Sequence, residues 1–389
     1  MITTRLIPGD CVEVMKGMEE NSVDSIVCDP PYGFRFMGRD FDDLGEGTQQ
    51  QEWHRRWAEQ ALRVLKPGGH LLAFGGTRTY HRLACAVEDA GFECRDSLAW
   101  VTGSGMPKGQ DLGRKVEAYA GWYTTLKPAY EPIVVARRPF AGPVYKNVQQ
   151  HGTGAMNIDA CRVPAPGEKI TTHAHREHGE GADDPTFSTY AAQETHQKEG
   201  QKKGRFPSNL VLTHHPGCGD ECAEGCLLPA LDKQAGMVTT SRGTRSGRMA
   251  GKVSGVYGKY DGHSSAGEPC GYNDTGGVSR YFPSCWWEPE DFLPLHYSTK
   301  TSVKEREAGC EHLAKKYGRK RGNNHVSVKP IKLIEWLIRL VTPTGGVVLD
   351  PFLGSGTTAV AASREGVSCI GIEQSEEYLE IARARVKEG

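Results

Sequence analysis

Residues 346–373 limit the possible folds of this chain more than any other stretch. Gly346-Val347-Val348-Leu349-Asp350 is a short apolar run of strand character, and Pro351 ends it. A glycine-bearing turn follows, Phe352-Leu353-Gly354-Ser355-Gly356, and then a small-residue helix from Thr357. A second strand, Val367 to Ile372, stops at Glu373. A strand that returns through a helix to a neighbouring strand makes a right-handed crossover, which leaves the two strands parallel. Parallel strands need cover on both faces, so the expected class is α/β, an open and mostly parallel sheet with helices on either side.

The N-terminal third repeats the pattern. Val23–Cys28 reads as a strand that runs into Asp29-Pro30-Pro31-Tyr32, where two prolines stop regular structure. A helix from Gln51 to Leu65 is expected to close at Lys66-Pro67-Gly68-Gly69. A strand over His70–Phe74, a helix over Tyr80–Ala90, and strands near Cys94–Val101 and Pro132–Arg137 should follow. From about 141 to 300 the periodicity fades and many of the 48 glycines gather, which suggests an inserted, loop-rich region loosest at 171–204 and 236–280. Patterning returns at Lys329-Pro330 and the helix Ile331–Val341, with Leu333, Leu337 and Leu340 on one stripe. The 389 residues thus divide into 1–140, 141–300 and 301–389.

Composition removes several classes. With 38% hydrophobic and 24% charged residues the chain can build a core. A formal net charge of -1 announces no polyanion partner, so a nucleic-acid surface would have to be local, at Lys202, Lys203 and Arg205 or along Lys315, Lys316, Arg319, Lys320 and Arg321. No apolar stretch approaches the ~18 residues of a membrane span, and the first residues lack the apolar core of a signal peptide. The expectation is a cytoplasmic protein without a membrane partner, whose 12 cysteines are thiols or metal ligands. His214, His215, Cys218, Cys222 and Cys226 place two imidazoles and three thiols within 13 residues. That density suits a structural zinc ion held by three cysteines and one of the two histidines; the competing reading is unliganded thiols packed as small hydrophobes.

A strand, a glycine turn, a helix and a second strand ending in an acid about 20 residues on is the arrangement that binds dinucleotide and adenosyl cofactors. Gly354 and Gly356 would let the backbone approach the ligand, Glu373 could accept bonds from ribose hydroxyls, and Asp350 would favour a cationic group. The turn departs from G-x-G-x-x-G, which counts against a nicotinamide oxidoreductase. Asp29 and the carbonyl of Pro30 could each accept one N–H of an amino group whose lone pair must be freed from an aromatic ring, and Tyr32 offers a stacking face.

Asp29-Pro30-Pro31-Tyr32, His325-Val326-Ser327-Val328-Lys329-Pro330 and Asp350-Pro351-Phe352-x-Gly354-x-Gly356 together resemble the DNA amino-methyltransferases of the β group. In that group the catalytic half precedes the cofactor half, as here, and further blocks at 72–78, 103–108, 126–132, 152–159 and 205–209 extend the resemblance over most of the chain. It implies a Rossmann-like class I methyltransferase domain, a seven-stranded sheet with one antiparallel strand. S-adenosylmethionine would be the cofactor and double-stranded DNA the partner, with a homodimer left open. By the same resemblance Asp29, Pro30 and Tyr32 are catalytic. Asp10, Asp29, His325, Lys329, Asp350, Phe352, Gly354, Gly356 and Glu373 border the cofactor, and 141–300 carries target recognition. Asp rather than Ser at position 29 leans toward adenine N6. Cytosine N4, and a non-catalytic DNA-binding accessory of a restriction system, are the alternatives.

Overall fold

The structure is a computed structural model. It describes residues 2–35, 40–102, 109–163, 204–215, 218, 221–239, 243–244, 253–255, 258–260, 269–270, 275–285 and 328–388. Two compact units form: Met1–Cys161 with Ser208–Leu228 and Phe282–Gly389, and Arg162–Pro207 with Pro229–Tyr281. The units do not divide at 140 and 300, because the helix Val144–His151 and two strands from the glycine-rich region belong to the first.

The first unit is built on one sheet. Its strands are β1 (Thr4–Pro8), β2 (Val23–Cys28), β3 (Leu65–Phe74), β4 (Glu93–Thr102), β5 (Tyr130–Arg137), β6 (Leu210–Thr213), β7 (Ser284–Cys285), β8 (Val347–Asp350) and β9 (Ser368–Glu373). Their order is β1-β9-β8-β2-β3-β5-β4-β6-β7, and β5 alone runs antiparallel to its neighbours. The first seven in that order make the Rossmann-like sheet expected from sequence. The sheet has nine strands rather than seven, because β6 and β7 extend it beyond β4.

Residues alternate between the faces of the sheet, and each face carries its own core. On one side Val27, Leu72, Phe74 and Val348 pack beneath three helices: α5 (Ile331–Val341), α6 (Thr357–Arg364) and α7 (Glu376–Glu388). On the other, Ile26, Cys28, Leu71, Ala73 and Leu349 pack beneath α1 (Cys11–Lys16), α2 (Thr48–Val64) and α3 (Tyr80–Asp89). Helix α4 (Val144–His151) also belongs to the first unit. Nine of the eleven residues of α5 are buried, so its apolar stripe widens to nearly the whole circumference. Glu335 is tolerated there because it faces Lys332 and Arg364.

One expected turn is not a turn. Lys66-Pro67-Gly68-Gly69 lies within β3. Gly68 takes a positive φ of 80°, donates to the Arg138 carbonyl and lies where the register against β2 slips, so the glycines make an irregular strand entry.

In the second unit three short antiparallel pairs are nested about one another. Val238–Thr239 pairs with Thr275–Gly276, Gly243–Thr244 with Pro269–Cys270, and Val253–Gly255 with Gly258–Tyr260. The segments 171–203 and most of 236–280 lie outside the described residues, as do Lys202, Lys203 and residues 315–321. Arg205 is no exposed phosphate contact. It is buried, donates to the Arg280 carbonyl at 2.9 Å and lies over the Tyr281 ring. Among the described residues no helix is long and apolar enough to cross a membrane.

Candidate active site at the carboxyl edge of the sheet

Strand order and direction bring the acids to one edge. β1, β9, β8, β2 and β3 are adjacent and parallel, so their carboxyl ends lie side by side. At those ends lie Asp10, Glu373, Asp350, Asp29 and Gly75-Gly76, with Glu373 and Asp350 the last residues of β9 and β8. The connections from β8 and β2 leave toward opposite faces of the sheet, which opens a crevice between these two strand ends. The turn bearing residues 29–32 and the turn at 354 therefore share one edge, although more than 300 residues separate them.

The Asp29 carboxylate anchors one side. The Tyr32 hydroxyl lies 2.9 Å from Asp29 Oδ1 and 3.2 Å from Glu131 Oε2, and can donate to one of them at a time. Lys329 Nζ bonds Asp29 Oδ2, lies 3.3 Å from the Tyr32 hydroxyl and 3.8 Å from Glu131 Oε2, and sits over the rings of Tyr32 and Phe74. Lys329 is buried, and the pair is compensated rather than solvated. Burial first, then the Asp29 carboxylate, holds the Tyr32 hydroxyl well above the ordinary tyrosine range, so it stays a donor.

The turn itself is fixed by side chains. Gln50 and Thr79 donate to the Tyr32 carbonyl at 2.9 and 2.7 Å, and Asp42 accepts from the N–H groups of Gly33 and Phe34. Pro30 is buried. At Gly76 a β-carbon would lie 2.4 Å from the Phe34 ring and 3.1 Å from that of Tyr32, so this glycine makes room for the aromatic pair.

The other side is the glycine turn. Asp350 accepts from the Phe352 N–H at 2.9 Å and the Thr358 hydroxyl at 2.6 Å. Burial outweighs these two bonds, and together with the Asp29 and Glu373 carboxylates it raises Asp350 to about 7. Glu373 accepts from the N–H groups of Gly354 and Ser375, both at 2.8 Å, and burial raises it too. Gly356 has φ 85°, and a β-carbon there would meet the Ala382 backbone at 2.9 Å. Arg385, buried in α7, donates to the Ser355 carbonyl and to the Thr357 hydroxyl, pinning the turn from behind. Phe352 packs against Trp57 and a partly exposed Trp53.

Asp10 caps α1, accepting from Val12 and Glu13 N–H, while Gly9 donates to the Glu373 carbonyl. His325 lies outside the described residues. Sequence reasoning missed Glu131, Gln50, Thr79, Asp42 and Arg385 as parts of this edge. Apart from the block at 126–132, which contains Glu131, nothing local marks them. In a separate place, His214, Cys218, Cys222 and Cys226 converge, and His215 is exposed.

A family model described as DNA methylase, of the N6/N4 type, matches residues 23–384, which is most of the chain and includes both turns. The chain belongs to the N6/N4 DNA methylase family. Among its relatives, the type II methyltransferase M.HindIII of Haemophilus influenzae is 24% identical over 194 residues, 38% of this chain and 63% of its own length. M2.DpnII of Streptococcus pneumoniae is 38% identical over 109 residues, 26% of this chain and 40% of its own length. The chain therefore spans less than two thirds of these relatives. The solved PvuII DNA methyltransferase, cytosine-N4-specific, superposes with a TM-score of 0.48 at 15% identity, covering 98% of this chain and 87% of that one.

Proposed function

We propose that this chain transfers a methyl group from S-adenosylmethionine to an exocyclic amino group of a base in double-stranded DNA, at adenine N6. The observation that carries the reading is the placement of Asp29 and Asp350 at the carboxyl ends of adjacent parallel strands. Three carboxylates converge there, and Asp350 is raised partly by the other two, so the crevice favours a cation. S-adenosylmethionine supplies an electrophilic methyl group on such a cation. Its ribose hydroxyls suit Glu373, and its amino acid end suits the backbone of the turn at 352–356.

Asp29 accepts one N–H of the base amino group and the Pro30 carbonyl the other, which aims the nitrogen lone pair at the methyl carbon. On transfer the N–C bond would form as the S–C bond breaks, leaving a neutral thioether; Asp29 would offset the positive charge on nitrogen and take up its proton, and its partial exposure would let the proton pass to solvent. A base inside a duplex cannot reach this edge, so it must be flipped out, and the Tyr32 turn is where it would lodge. Residues within 141–300 supply target recognition in this reading, and the type II names of the relatives suggest a restriction-modification role.

Adenine is favoured by the resemblance, through Asp rather than Ser at position 29. Expression of the full chain in a host lacking DNA methylation, followed by sequencing of host DNA with detection of modified bases, tests the reading. N6-methyladenine at a defined site is expected. N4-methylcytosine would move the assignment to the other base, and unmodified DNA from a host making folded, cofactor-binding protein would overturn it.

A further inference from the structure

His214 directly follows β6, a four-residue strand, and its N–H bonds the Cys285 carbonyl of β7. The preceding Thr213 accepts from the buried Trp100 indole of β4 at 2.5 Å. From this fixed strand end the imidazole meets three thiols. The ligand atoms of His214, Cys218, Cys222 and Cys226 all lie within 4.8 Å of one another, and His214 Nδ1 is 3.4 Å from Cys222 Sγ and 3.7 Å from Cys226 Sγ.

We infer that these four side chains form a structural zinc site, independent of methyl transfer, that fastens the far edge of the sheet. Tetrahedral zinc with Zn–S of ~2.3 Å and Zn–N of ~2.0 Å places its ligand atoms about 3.5–3.8 Å apart; the two His–Cys separations, 3.4 and 3.7 Å, lie close to that spacing, and the four atoms, all within 4.8 Å of one another, need only a small contraction to reach it. The Ala223 N–H points at Cys218 Sγ, 3.3 Å away, the kind of donor that stabilises a metal-bound thiolate. Four protein ligands close the coordination sphere, which makes the site structural rather than catalytic. Soft sulfur ligands with one imidazole in a tetrahedron favour zinc over magnesium, calcium or manganese. Two strands of four and two residues hold little by themselves, and a metal that ties the end of β6 to the start of the helix Leu227–Ala235 supplies the missing constraint.

The test uses the full chain purified under reducing conditions from zinc-containing medium. Elemental analysis should find one zinc per chain. Cys222→Ser, at the thiol that faces solvent, should lose it, whereas Cys85→Ser, exposed and remote from the cluster, should keep it. Cobalt(II) put in place of zinc should show thiolate charge-transfer absorption and the visible bands of a tetrahedral site. Metal-free protein, iron in place of zinc, or full zinc in Cys222→Ser would each overturn the inference. Should Cys222→Ser prove insoluble, the cobalt spectrum of the unaltered chain decides alone, and absence of thiolate bands sinks the site.

Discussion

Asp29-Pro30 and Asp350-Pro351 are the same dipeptide at the ends of neighbouring parallel strands, yet their carboxylates live in opposite surroundings. Asp29, with 21% of its side chain exposed, faces the Lys329 ammonium and the Tyr32 hydroxyl. Asp350 is buried among neutral donors, a backbone N–H and a threonine hydroxyl, and sits near 7. Proline fixes the backbone alike in both. What the carboxylate then does is decided by partners remote in sequence, such as Lys329, which lies 300 residues from Asp29. The first turn presents an acceptor at the crevice. The second keeps its carboxyl buried between a backbone N–H and a hydroxyl.

Breaking the first member of the pair should have the largest effect. Asp29→Ala is expected to reduce methyl transfer by about 10³-fold or more, the loss typical of a group that meets charge developing in the transition state. Calorimetry should show cofactor binding retained. Near wild-type turnover would show that the two turns do not differ in role as described.

The second member should reveal itself through pH. An unfolded aspartate titrates near ~3.9, and Asp350 in the folded chain near about 7. Between those values the folded state binds more protons than the unfolded one, so stability falls as pH rises from about 4 to about 7 and levels off above. The span amounts to about 4 kcal/mol. Asp350→Asn should flatten that slope in urea titrations and leave the apoprotein more stable than wild type at pH 8. An unchanged slope in the variant would place the proton elsewhere.

A smaller effect comes from the backbone of the glycine turn. Gly356→Ala forces a β-carbon into a positive-φ position against the Ala382 main chain, with no flexible neighbour to yield. A loss of roughly 2 kcal/mol is expected in denaturant unfolding. The Asp29 turn has its own positive-φ glycine, Gly33, but a β-carbon there would meet the Gln50 side chain rather than main chain, and proline stiffness and the Gln50 and Thr79 bonds also hold that turn.

The contrast also sets what could be read from sequence. β2, β8, α5 and both Asp-Pro turns were legible, because local periodicity and punctuation determine them. Glu131, Gln50, Thr79 and Arg385 were not, since each acts on a group distant along the chain. Arg385 lies in the last turn of α7, where a basic residue suits the helix dipole whatever else it does, yet its side chain turns inward to the glycine turn. The glycine-rich composition around 141–300 hid β6 and β7, strands too short for alternation to register. Choosing between His214 and His215, which follow β6, needed the packing at that strand end: His214 is buried and meets the thiols, while His215 is exposed.

The smallest predicted effect sharpens the comparison from its least visible residue. Glu131 lies on β5, the antiparallel strand, and reaches the Tyr32 hydroxyl and Lys329 at the distances at which it competes with Asp29 for both. Glu131→Gln keeps the size and one acceptor but removes a charge, so Lys329 is shared with one carboxylate instead of two. The neutral amide oxygen is a weaker rival for the Tyr32 hydroxyl, which then donates chiefly to Asp29, and Asp29 spends more of its acceptor capacity on its own neighbours. The expected result is a fall in kcat of about three- to tenfold, near 1 kcal/mol, with KM for DNA unchanged and the glycine turn's pH slope intact. A change in KM alone would instead make Glu131 part of the surface that holds the base, and no change in either would leave it a packing residue of β5.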